Sequence, residues 1–136
     1  MISRISLTAG GILNLLFGLF HLTFPWLLRW TDDLGGMSAG NKAVLFTAHV
    51  WIIFVLLAFA YLSVFHCRQL LTTALGTSLL TVIFFLWIIR AGAEVVFFRL
   101  GEEGALWRVF LFVALATLYL LPVLRRDAMR GGGDDQ

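Results

Sequence analysis

The chain has 136 residues, 60% of them hydrophobic and only 13% charged, with a formal charge of +2. A soluble domain averages about 45–50% apolar and about 25% charged residues, so both shifts put this chain in the membrane class. The length suits one domain, the small and scattered charge excludes a nucleic-acid binder, and the single Cys67 excludes an internal disulfide, a CxxC redox pair and with them a quinone-linked disulfide oxidase.

A transmembrane helix needs roughly 20 mostly apolar residues to cross about 30 Å of hydrocarbon. The first such stretch runs from residue 6 to 28. Arg4 before an apolar run resembles a signal peptide, but the run exceeds a signal core of about 7–15 residues and no A-x-A site follows, so it reads as a span. Gly10, Asn14, Gly18 and His21 fall on one stripe of it. Small and polar stripes are where membrane helices approach closely, so Asn14 and His21 should face other helices. Pro25 has no N–H, which frees the carbonyl of His21 and predicts a kink beside it. Trp26 and Trp30 then predict an interfacial anchor, with Trp107 joining them at the same membrane face.

The loop "RWTDDLGGMSAGNK" leads to a second span, 43–65, with His49 near its start. "HCRQ" follows, where His66 reads as interfacial. The third span, 70–98, contains most of "FFLWIIRAGAEVVFFRL", with Arg90 and Glu94 inside it. Thr77, Ser78 and Thr81 can bond back to their own helix. "RLGEEG" separates this span from the fourth, 105–124, which begins with Trp107 and Arg108 and holds Pro122 near its end. Pro122 should free the carbonyl of Leu118 as Pro25 frees that of His21. The tail 125–136, "RRDAMRGGGDDQ", reads as disordered, basic and glycine-rich.

The expected fold is therefore an all-α, integral membrane four-helix bundle with short loops, over residues 1–124. Both termini lie on one side. That side holds Arg4, Arg68, Arg125, Arg126 and Arg130, against Arg29, Lys42, Arg99 and Arg108 on the other. The Arg125–Arg126 pair beside the last helix assigns the termini to the cytoplasm, in a bacterial inner membrane.

A charge at the centre of a membrane helix costs about 2.5–3.5 kcal/mol. Arg90 and Glu94 stand four apart and should pair. Measured at 1.5 Å per residue, His21 and Arg90 each lie roughly 12 Å below the outer face, and His49 roughly 9 Å. Separate helices thus deliver His21, His49 and the Arg90–Glu94 pair to one half of the bilayer. With Asn14, and with Trp87 on the face of Arg90, they form a candidate ligand site. Arg90 would hold an anionic or carbonyl group, the histidines would bond or move protons, and Glu94 would orient Arg90. Each residue also has a purely structural use, as a staple or a hydrogen bond between helices.

The leading expectation is a protein that binds a lipid-like or small amphipathic ligand. One alternative is a non-catalytic subunit or assembly factor of a larger membrane complex, or a homo-oligomer. Another is a haem b protein with His21 and His49 as axial ligands and Arg90 on a propionate. No other metal or cofactor is expected. No nucleophile elbow, HExxH or carboxylate-rich metal box specifies a reaction, so enzymatic activity stays open.

In size the chain resembles the small multidrug-resistance exporters. That family carries its essential glutamate in the first helix, where this chain has Asn14 and His21. The order "FHLTFPWLLRW", "NKAVLFTAHVW", "FFLWIIRAGAEVVFF", "LWRVF" resembles a group of small, uncharacterised four-helix bacterial inner-membrane proteins, with His49, Trp87 and Arg90 at the matching positions. That resemblance implies the architecture and no activity.

Overall fold

The computed structural model describes residues 1–97 and 105–131. The order is α1 (Ile2–His21), α2 (Phe24–Leu27), α3 (Trp30–Asp33), α4 (Ala39–Phe65), α5 (Cys67–Thr72), α6 (Ala74–Phe97) and α7 (Ala105–Gly131). Phe98 at the expected end of the third span, Arg99, the loop with Glu102 and Glu103, and the last residues of the tail lie outside the described residues. Four helices, Ile2–His21, Ala39–Phe65, Ala74–Phe97 and Leu106–Arg126, are long and apolar enough to cross a membrane. The chain is thus all-helical among the described residues and, by length and composition, an integral membrane protein.

The boundaries differ from expectation where local chemistry intervenes. The first span stops at His21 instead of running to 28. Pro25 falls in the first turn of α2, where an N–H would find no acceptor within that helix. Arg29 then adopts the left-handed conformation, φ 47°, and turns the chain into α3. The second span starts earlier, at Ala39, because the Ser38 hydroxyl caps it by accepting from the Asn41 N–H at 3.3 Å.

The third expected span is two helices, broken at Thr73. This residue is extended, and its Oγ1 caps α6 by accepting from the Gly76 N–H at 2.9 Å. Arg126 of α7 donates to the carbonyls of Thr72 and Thr73 and so closes the end of α5. The turn is tight enough that a Cβ on Gly76 would lie 2.4 Å from the Leu70 carbonyl oxygen. Beyond residue 124, α7 continues through the expected tail to Gly131, since nothing in "RRDAMR" breaks a helix.

Helix α1 packs against α4 and α7, and α7 packs against α6, whereas α4 and α6 hardly touch. The long helices thus follow an arc in the order α4, α1, α7, α6. The glycines of α1 make this possible: added methyl groups would meet Tyr119 of α7 at Gly10, Ser63 of α4 at Gly11 and Leu57 of α4 at Gly18. Leu7, Leu56, Leu80, Ile83, Trp87, Phe112, Leu115 and Tyr119 fill the core. Outward faces carry exposed side chains such as Phe54, Ile89 and Phe110, a pattern suited to lipid rather than water.

Candidate functional site

The two histidines meet through the main chain. His49 of α4, buried, donates its Nε2–H to the carbonyl of His21 at 3.0 Å. This is the acceptor that Pro25 leaves without a helical donor. His21 donates its Nδ1–H to the carbonyl of Phe17, one turn back, at 2.8 Å. The rings stand 6.0 Å apart, with Phe24 stacked on His21 at 4.4 Å and Trp30 edge-on to His49 at 4.8 Å. Trp30 is therefore packed inward, while Trp26 and Trp107 are exposed. Pro122 repeats the device elsewhere. The carbonyl of Leu118, which it frees, accepts from the Ser6 hydroxyl of α1.

On α6, Glu94 is fully buried and receives two guanidinium groups. Arg90 donates from one turn away at 2.8 Å, as the spacing requires. Arg108 of α7 donates through Nε to the other carboxylate oxygen. Arg108, expected as a charge at the mouth of its helix, reaches inward to Glu94 instead. Its place three residues into α7 was the available signal that it could reach inward. Arg90 also lies 4.5 Å over the ring of Phe112, which stacks on Trp87 at 5.6 Å, with Phe17 tilted against both.

The gap between α4 and α6 is a cavity of about 510 Å³. Trp51, Ile52, Val55 and Leu56 of α4 form one wall, and Leu86, Trp87, Ile89, Arg90 and Ala93 of α6 form the other. Phe17, Phe20 and His21 come from α1, and Trp107, Arg108, Leu111 and Phe112 from α7. Within the expected site, His21, Trp87 and Arg90 thus line one cavity. Glu94 lies behind it and holds both arginines. His49 supports His21 without being part of the lining.

Asn14 is placed elsewhere. Its amide donates to the Gly10 carbonyl and to the Tyr119 hydroxyl, which also bonds Ser63. This network ties α1, α4 and α7 together in the core. Tyr119 and Ser63 escaped the sequence reading because an isolated hydroxyl in an apolar run carries no spacing signal. Among the described residues, the buried Nε1 of Trp87 and Oδ1 of Asn14 have no hydrogen-bond partner.

Among the described residues no group of three or more His, Cys, Asp and Glu side chains could hold a metal ion. Axial ligation of one haem by His21 and His49 through their Nε2 atoms would require His49 to release the His21 carbonyl. Comparison of the chain with known protein families, with curated proteins and with solved structures finds no match.

Proposed function

We propose that this is an inner-membrane protein that takes an anionic, lipid-like molecule from the bilayer into the gap between α4 and α6. One observation carries the reading: a cavity of about 510 Å³ whose lining is aromatic and aliphatic except for His21, Arg90 and Arg108. Ligand pockets of roughly 300–1,000 Å³ with a few convergent polar groups are the common form of small-molecule site. The apolar walls suit a hydrocarbon tail, and the guanidinium groups suit a phosphate or carboxylate. Glu94 holds both arginines to the α6–α7 side of the cavity.

In this reading both termini are cytoplasmic and the arginine cluster lies in the outer half of the bilayer. The ligand enters sideways, because the walls include the exposed Trp51, Ile89 and Trp107. The test is native mass spectrometry of the protein purified in a mild detergent. A bound anionic lipid is expected on the wild type. Ala93→Trp fills the cavity without touching Glu94, and should remove the lipid while leaving the far-ultraviolet circular dichroism unchanged. Equal lipid retention in wild type and Ala93→Trp defeats the proposal. A Soret band in the same sample would transfer the histidines to a haem.

A further inference from the structure

The hydrogen bonds around His21 specify more of the ligand than its charge. A carbonyl oxygen can only accept, so the contact with Phe17 at 2.8 Å puts the ring hydrogen on Nδ1. In the neutral imidazole the other nitrogen, Nε2, is then an acceptor. That nitrogen has no partner among the described residues, and His21 belongs to the cavity lining. The ring is held in place. Phe24 stacks on its face at 4.4 Å, and the carbonyl of its own residue is held by His49 at 3.0 Å. The cavity therefore combines two unlike demands. Arg90 and Arg108 bring positive charge to the lining, whereas His21 offers a lone pair to a donor.

Resting on the lipid-binding reading above, we propose that the ligand is an anionic lipid whose headgroup bears a hydroxyl beside its phosphate, with the hydroxyl donating to His21 Nε2 and the phosphate facing Arg90 and Arg108. A headgroup with an ammonium in place of the hydroxyl would bring a positive charge toward two guanidinium groups. A choline headgroup offers no N–H or O–H donor. A phosphodiester with a polyol headgroup meets both demands.

The experiment compares three probes on the detergent-purified full chain by isothermal titration. Dioctanoyl phosphatidylglycerol carries the charge and the hydroxyls. Dioctanoyl phosphatidylmethanol carries the same charge and no hydroxyl. Glycerol 3-phosphate carries charge and hydroxyls without a tail. The wild type should prefer phosphatidylglycerol to phosphatidylmethanol by about tenfold, the size of one well-made hydrogen bond. His21→Phe keeps an aromatic ring against Phe24 and should reduce the preference to about one. A wild type that binds both lipids equally overturns the hydroxyl assignment and leaves the anionic-lipid reading standing. A preference that persists unchanged in His21→Phe overturns the role of His21. Binding of neither lipid defeats both proposals, and glycerol 3-phosphate binding as tightly as phosphatidylglycerol assigns the site to a water-borne phosphate. Should His21→Phe not fold, the wild-type ratio still decides the hydroxyl assignment.

Discussion

His49 donates to the main-chain carbonyl of His21, and Pro25 is the reason that carbonyl is available. A buried carbonyl that loses its donor costs about 1–3 kcal/mol. His49→Phe should therefore destabilise the protein by about 1–2 kcal/mol, near the upper range for hydrogen bonds between membrane helices. Pro25→Ala restores an N–H four residues after His21. In that background the loss should fall below about 0.5 kcal/mol, because the helix can claim the acceptor itself. Unfolding in mixed micelles measures the four corners of this cycle. Equal losses in both backgrounds would mean that His49 matters for something other than this bond.

Glu94 is the hub of its cluster and each arginine is a spoke. Removing the hub leaves two part-exposed guanidinium groups facing one another. Glu94→Gln should cost about 3–5 kcal/mol, the range for breaking a buried ion pair. Arg108→Met leaves the Arg90–Glu94 pair in place and should cost roughly half as much. The double variant should be more stable than Glu94→Gln alone, since it removes one of the two facing charges. A double variant less stable than either single one would show that Arg108 is held by something besides Glu94.

Three glycines should respond to methylation in a fixed order. At Gly76 the new Cβ would sit 2.4 Å from the main-chain oxygen of Leu70 in α5, which has little freedom to move. At Gly10 it would meet the ring of Tyr119 at 2.9 Å. Gly36 has nothing within 4 Å. Gly10→Ala should cost about 1–3 kcal/mol, Gly76→Ala more than that, and Gly36→Ala within about 0.5 kcal/mol of nothing. The same micelle titration ranks them.

Cys67 lies between the second and third membrane-crossing helices. Burial raises its thiol above the ordinary value, and the nearby Arg4 charge acts the other way. The thiolate is the reactive form, so a raised value means less of it at a given pH. Maleimide labelling at pH 8 should be slower than that of a small free thiol. It should keep accelerating at pH values where the free thiol has levelled off, and Arg4→Ala should slow it further. A membrane-impermeant maleimide also tests the topology. With both termini cytoplasmic, intact spheroplasts should leave Cys67 unlabelled and inverted vesicles should label it.

Much of the frame was legible because it rests on period, length and charge. Arg90 and Glu94 stand one turn apart, and no packing detail could separate them. The two prolines announced which carbonyls would be free, and both carbonyls found donors on another helix. What the sequence withheld was the identity of those donors. Ser6 and His49 became partners only when α1 was laid against α7 and α4. Arg108 was missed because a cation near a helix start has an easy reading at the surface. The break at Thr73 was missed because it depends on Arg126, more than fifty residues away, and on the absence of a side chain at Gly76. Asn14 shared a stripe with His21, but a shared stripe assigns no depth. Its partner Tyr119 placed it in the core and away from the cavity.

The arc order of the helices has a consequence for synthesis. The chain emerges as α1, α4, α6, α7, and α4 finds its neighbour α1 already made. For α6 the neighbour is α7, the last to appear, and α4 offers it almost no surface. The helix bearing Arg90 and Glu94 therefore completes its long-helix packing only when α7 arrives, and Glu94 gains its second guanidinium, from Arg108, at the same step. The second half of the protein is thus packed as a pair, and a chain ending before α7 would leave its third span without its main partner.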